Sequence, residues 1–239
     1  VDAAARHLGL SQSTAYQYFS SLIAARLLVG SKAGRYRIGP AIIELDRQVR
    51  QLDPLIRGAE PVMKSLSDSL EWDGAALLCR IYGLTVMCVD QRIRTPHSFA
   101  VGYERGRPMP LFRGAASKAI LAELPLRPLR RLFEQSSDAI AQVGLGKDWK
   151  SFKSALRAIR NQCVCVTYEE VDRGMVGISS PVFGPDIEIV GSIGVVVALS
   201  DMQGAGDGIE RLSRRVRQAA QAVTITLQGE EEVQPAASS

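Results

Sequence analysis

The stretch Ala5-Arg6-His7-Leu8-Gly9-Leu10-Ser11-Gln12-Ser13-Thr14-Ala15-Tyr16 decides how the start of this chain is read. It predicts a short helix ending near Leu8, a turn at Gly9 and a second helix. Ser11 is the natural N-cap of that second helix, because its hydroxyl can accept a backbone N–H that the first turn leaves unpaired. The second helix is expected over Gln12 to Ala25. Ala15, Phe19, Leu22 and Ile23 fall at i, i+4, i+7 and i+8 and predict one buried stripe, with Gln12, Ser13, Tyr16, Gln17 and Ser20 on the outer face. Leu27-Leu28-Val29 and Tyr36-Arg37-Ile38 can then pair around a Gly30-Ser31-Lys32-Ala33-Gly34 tip. Helix, turn, helix and a basic hairpin is the layout of a winged helix-turn-helix, whose second helix lies in the major groove of double-stranded DNA. The candidate DNA contacts are Gln12, Ser13, Thr14, Tyr16 and Gln17 on the helix, with Lys32, Arg35 and Arg37 on the wing for phosphate or minor-groove contact.

The charge distribution agrees with that reading. The chain of 239 residues has a net charge of +4. Residues 1–50 carry seven Lys and Arg against three Asp and Glu, so this first fifth holds the whole excess, where a phosphate-facing surface belongs. With 46% hydrophobic and 23% charged residues the chain can fill a globular core and is not broadly disordered. No apolar run approaches the roughly 20 residues of a membrane span, and no signal peptide is visible, so the chain reads as cytoplasmic. Cys79, Cys88, Cys163 and Cys165 lie in apolar runs without a CxxC pair and read as buried reduced thiols, Cys163 and Cys165 on one side of a strand.

Beyond the first domain (1–39), Pro40 opens an expected linker helix (40–53) with Ile42, Ile43, Leu45, Val49 and Leu52 as its apolar stripe. A helix over Leu55 to Leu70 begins a larger domain (54–228). A hairpin follows, Ala75 to Tyr82 and Thr85 to Asp90 around Gly83-Leu84, then a third strand from His97 to Gly102 and a turn-rich Arg105 to Pro110. Helices are expected at Ala115–Glu123, Leu126–Gln135 and Trp149–Asn161. Strands follow at Cys163–Tyr168, Val176–Val182 and Val190–Leu199, with a last helix over Ile209–Leu227. The tail 229–239 is polar and reads as disordered. This order predicts an α+β domain of largely antiparallel strands covered by helices.

These residues resemble the IclR family of bacterial transcriptional regulators. The resemblance is carried in the first domain by Ala5-x-x-Leu8-Gly9-Leu10-x-x-Ser13-Thr14 and Gly34-Arg35-Tyr36-Arg37-Ile38-Gly39-Pro40. In the second it is carried by Gly106-Arg107-Pro108-Met109-Pro110-Leu111, Ala115-Ala116-Ser117-Lys118-Ala119, Glu169-Glu170, Gly174 and Ser180-Pro181-Val182. It implies a GAF-like effector-binding α/β domain, a homodimer or homotetramer on a palindromic operator, a small organic acid as effector, and no cofactor. It also implies a further helix ahead of this segment. A chain starting at Val1 is therefore read as a fragment lacking it. The resemblance places the effector-binding residues at Met109, Phe112, Arg113, Ala115, Ala116, Thr167, Gly177, Ser179, Gly194 and Val196.

Departures from the family's pattern sharpen the expectation. Gln12 and Gln17 stand where basic residues are common, and glutamine can read adenine bidentately. Arg26 stands where a glycine commonly ends the recognition helix. Phe112, Thr167, Gly177, Gly194 and Val196 replace polar or acidic pocket positions with apolar, smaller or neutral ones. That predicts an effector larger or more apolar than glyoxylate or pyruvate, such as an aromatic acid. Arg113 is the candidate carboxylate anchor, against the plainer reading of a surface arginine. The expected helix start at Gly114-Ala115-Ala116 offers free N–H groups to an anion.

Other chemistry has little to stand on. His7 and His97 lie near no nucleophile with an acidic partner, so no triad is expected. Gly102, Gly106 and Gly114 form no phosphate-binding fingerprint, and Glu170 with Asp172 lacks the histidine and spacing of a metal set. The chain reads as a ligand-responsive regulator and not an enzyme. The alternative is a metabolite-binding or enzymatic α/β protein whose first segment only dimerises.

Overall fold

The computed structural model describes residues 1–30, 34–94, 102–202 and 206–232. The chain divides into two compact units, Val1–Asp53 and Pro54–Ser239.

In the first unit, α1 (Asp2–Leu8) ends where Gly9 turns left-handed at φ 65°, a conformation that costs glycine nothing. Ser11 caps α2 (Gln12–Ala24), accepting the Thr14 N–H at 3.2 Å. Arg26 then takes a left-handed turn at φ 58°, where a side chain sits at a cost. Strands β1 (Leu28–Gly30) and β2 (Tyr36–Ile38) pair antiparallel, Val29 opposite Arg37. Helix α3 (Ala41–Leu52) follows Pro40.

The expected buried stripe of α2 is only partly buried. Ala15 is enclosed, Phe19 is half-buried with its ring edge-on to Tyr36 at 4.6 Å, and Leu22 and Ile23 stay 36% and 41% exposed. The unit's own elements do not cover them. An open apolar hollow runs along Leu8, Leu10, Tyr18 and Leu22 instead. On α3 no side chain is buried, and Ile42, Ile43, Leu45, Val49 and Leu52 are all exposed.

The second unit opens with α4 (Pro54–Asp68) and builds one six-stranded sheet from β3 (Gly74–Tyr82), β4 (Thr85–Ile93), β5 (Pro108–Pro110), β6 (Cys165–Tyr168), β7 (Met175–Phe183) and β8 (Ile189–Ala198). The order is β5-β4-β3-β8-β7-β6 and every neighbouring pair is antiparallel. Its helices are α5 (Ala115–Glu123), α6 (Leu126–Gln142), α7 (Trp149–Gln162), the short α8 (Leu199–Met202) and α9 (Gly208–Glu232).

Alternation along each strand sends neighbours to opposite faces. Val176, Ile178, Ile193, Val195 and Val197 pack on Leu55, Ala59 and Met63 of α4 and on Leu212, Val216 and Val223 of α9. Leu77, Cys79, Val86, Cys88 and Val196 pack on the other side with Ile120 and Leu121 of α5, Leu129 and Leu132 of α6, and Phe152 and Leu156 of α7. Strand β3 is central and covered on both faces, which is why Ala75-Ala76-Leu77-Leu78-Cys79 reads as a continuous apolar run.

Several expectations are corrected. Pro108-Met109-Pro110 is an edge strand rather than a turn, a place where missing N–H groups do no harm. Helix α6 does not end at Gln135; it breaks at Ser136 (φ −141°) and resumes to Gln142. Cys163 is the left-handed C-cap of α7 at φ 52° and is exposed, so it shares no strand face with the buried Cys165. The last helix runs through Gly229 to Glu232, where a disordered tail was expected. Lys32, the remaining tail (233–239) and the strand expected at His97–Gly102, apart from Gly102, lie outside the described residues. Among the described residues no helix is long and apolar enough to cross a membrane, and no group of three or more His, Cys, Asp and Glu could hold a metal.

Candidate functional site

The N-terminus of α5 is the focus of the second unit. Gly114 precedes it at φ 82°, where a β-carbon would fall 2.8 Å from both the Tyr103 ring and Val171. Only glycine lets the chain turn there and keeps those neighbours close. The helix then starts with Ala115 and Ala116, whose small side chains leave room over the sheet. A cavity of about 30 Å³ lies at this point, lined among others by Leu77, Ala115, Ala116, Met175 and Val196 on its apolar side.

Its polar lining comes from β6, β7 and the segment between them. Thr167 and Ser179 are 7% and 3% exposed, face the cavity, and have no side-chain hydrogen-bond partner among the described residues. The glycines opposite make room for them: β-carbons at Gly177 and Gly194 would lie 3.1 Å from the Thr167 Oγ1 and 2.1 Å from the Ser179 Oγ. Glu170 and Asp172 also line the cavity. The Glu170 Oε2 accepts the Gly114 N–H at 3.0 Å, and its Oε1 pairs with the Lys118 Nζ. Lys118 is 4% exposed and donates its other bond to the Val143 carbonyl at 2.9 Å. A buried ammonium is tolerated only when paired in this way. Asp172 accepts the Gly102 N–H at 2.6 Å.

The remaining titratable groups here are held neutral. Burial pushes the Tyr103 phenol well above its ordinary range; it donates to the Arg113 carbonyl at 2.7 Å and meets the Ser117 hydroxyl at 2.8 Å. Burial pushes Cys165 up to about 12, with the Lys118 charge opposing the shift. The hydrogen bond with Cys88, then burial, raises Cys79.

Of the sequence-derived effector residues, Ala115, Ala116, Thr167, Gly177, Ser179 and Val196 come together around this cavity. Gly194 does not line it; it sits opposite Ser179 in the β7–β8 register. Met109 is buried in the β5 edge and Phe112 packs half-buried against the same core, both away from the lining. Arg113 is exposed, its Nε donates to the Glu170 backbone carbonyl at 2.9 Å, and it does not line the cavity. Leu77, Tyr103, Glu170, Val171, Asp172 and Met175 line the cavity as well, outside the effector contacts expected from the sequence. A usable signal was Lys118 itself, a lone cation inside Ala115-Ala116-Ser117-Lys118-Ala119-Ile120, which must find an anion if that run is buried.

In the first unit, Gln12, Ser13, Tyr16 and Gln17 are exposed on α2, and Arg35 and Arg37 are exposed at the hairpin. Thr14 is half-buried, its hydroxyl 2.8 Å from the Ser11 cap. Gln12 donates to Asp2 at 3.3 Å.

The family described as bacterial transcriptional regulator IclR C-terminal matches residues 48–225 of this chain. The chain belongs to the IclR family of bacterial transcriptional regulators. The HTH-type transcriptional regulator KipR of Bacillus subtilis (strain 168) is 23% identical over 212 residues, covering 89% of this chain and 83% of that protein. Among solved structures, an IclR transcriptional regulator from Silicibacter sp. TM1040 superposes with a TM-score of 0.79 at 18% identity, over 95% of this chain and 88% of its own. An IclR homolog from Microbacterium hydrocarbonoxydans, complexed with 4-hydroxybenzoate, gives 0.72 at 16% identity over 94% and 89%. At these identities the structures share the IclR fold with this chain.

Proposed function

We propose that this IclR-family chain is a ligand-responsive DNA-binding regulator. Val1–Asp53 acts as a winged helix-turn-helix, with Gln12, Ser13, Tyr16 and Gln17 on base edges and Arg35 and Arg37 on phosphates or the minor groove. The second unit, GAF-like, takes a small organic acid of aromatic type, the class to which the 4-hydroxybenzoate of the Microbacterium neighbour belongs. The exposed stripe Ile42, Leu45, Val49 and Leu52 on α3 supports self-association as a homodimer or homotetramer on a palindromic operator.

One observation carries the sensor reading: Thr167 and Ser179, residues more than nine-tenths buried, line a cavity at a helix N-terminus with hydroxyls that have no partner among the described residues. Unpaired buried hydroxyls cost stability, and a bound acceptor recovers it. A carboxylate is the acceptor that a helix N-terminus also favours. Effector binding then biases the arrangement of reading heads by no more than its difference in affinity between the two states.

A thermal-shift series with aliphatic and aromatic carboxylates tests the sensor. A true ligand at a hundred times its dissociation constant adds about 2.7 kcal/mol of stability. Selection from a random duplex pool tests the reader, with an inverted repeat as the expected product. Silence across the acids, or turnover of one of them, would sink the sensor reading, and unstructured enrichment would sink the operator reading.

A further inference from the structure

The carboxylate seat of this cavity is already taken by the chain itself. The Gly114 N–H and the buried Lys118 ammonium together grip a single carboxylate, and that carboxylate is Glu170. The space left beside it is about 30 Å³, enough for a water or two, whereas an aromatic ring needs roughly 150 Å³. An acid added to the cavity as it stands would also put a third carboxylate beside Glu170 and Asp172, with Lys118 as the buried cation that faces them. Adding a like charge so close in a poorly solvated site carries a heavy repulsive penalty. Exchange of one carboxylate for another keeps the ammonium paired and the charge balance unchanged.

The segment that carries Glu170 is a loop between β6 and β7 held mainly by polar contacts. Two left-handed residues bracket it, Glu169 at φ 53° and Gly174 at φ 72°, and the first is a conformation an L side chain adopts at a cost. Polar pins hold it: the Glu169 side chain on the Gly174 N–H at 2.7 Å, Arg113 on the Glu170 carbonyl, and Asp172 on the Gly102 N–H. Such pins, half-exposed, contribute about a kcal/mol each and are readily exchanged for water.

We propose, resting on the acid-sensor reading above, that Glu170 is a resident stand-in for the effector's carboxylate. The incoming acid takes the Gly114 N–H and the Lys118 ammonium, its carboxylate also accepts from the Thr167 and Ser179 hydroxyls, and its body lies against Leu77, Met175 and Val196. Glu170 leaves with the Glu169–Gly174 segment, which widens the cavity and makes that segment the first part of the chain to report binding.

The test compares benzoate and pyruvate binding by calorimetry in the unmodified chain, Glu170→Gln and Asp172→Asn. Glu170→Gln removes the competing charge and keeps its shape, so either acid binds roughly tenfold or more tightly. Asp172→Asn removes a charge from the same lining but not from the seat, and gains clearly less. Equal gains in the two variants would mean general repulsion and overturn the exchange, as would equal or weaker binding in Glu170→Gln. In both cases the acid-sensor reading survives. Binding by neither acid to any of the three proteins overturns both. If Glu170→Gln does not fold, Glu170→Asp, which withdraws the carboxylate by one methylene, takes its place with the same expected direction.

Discussion

Phe152 and Phe19 are both helical phenylalanines, yet one is fully buried in a ring of apolar partners and the other only leans on Tyr36. The contrast runs through the two units. The second unit covers both faces of a six-stranded sheet and fills two large apolar clusters and a small third one. In the first, Ala5 and Ala15 are the buried apolar side chains. Its order rests on a serine cap, a left-handed glycine, a three-residue ladder and a surface ion pair between Arg26 and Glu44, devices worth at most about 1 kcal/mol each. A small unit of this kind holds its shape through local rules, while the larger one holds its shape through burial.

The sharpest way to break that contrast is chemical access. Cys79, Cys88 and Cys165 are buried in the second unit, whereas Cys163 is exposed. Since the thiolate is the nucleophile and burial holds Cys165 protonated up to about 12, the three buried thiols should label only when their unit opens. At pH 8 a disulfide reagent should modify Cys163 at least ~10³-fold faster than the others, in keeping with the equilibrium constants of a stable domain. Fast labelling of two or more sites in the native protein would show that the second core is looser than its packing implies.

Truncation comes next. Phe152→Ala should cost about 3–5 kcal/mol in urea denaturation of the second unit. Phe19→Ala, from a half-exposed site, should cost only about 1–2 kcal/mol and act on the first unit alone. Similar losses would erase the distinction between the units. The smallest effect is a gain. Arg26→Gly relieves a left-handed side chain and gives up an exposed ion pair with Glu44, for a net stabilisation of about 0.5–1 kcal/mol. A loss of stability on that change would mean that the Arg26–Glu44 pair outweighs the backbone strain.

Much of the fold was legible because its signals are local. Gly9, Ser11 and Pro40 each act on the few residues around them, and the long strands of the second unit follow from alternation and short apolar runs such as Ala75-Ala76-Leu77-Leu78-Cys79. The buried stripe of α2 was misjudged for the opposite reason. Periodicity says which face of a helix is apolar, but what covers that face depends on other elements. Arg113 was a reasonable carboxylate anchor by chemistry, and only the fold shows its Nε donating to the Glu170 backbone carbonyl, outside the cavity lining.

The sequence by itself determined the order of the main elements, the apolar faces, the family and six of the residues that meet around the cavity. Tertiary structure alone decided that Lys118 pairs with Glu170 across 52 positions, that Gly194 supports Ser179 instead of lining the cavity, and that the seat for an acid is filled from within. Those facts depend on strand register and on a left-handed turn far away in the chain. The free energies that fix them come from pairing and burial between remote segments, which no short window of residues encodes.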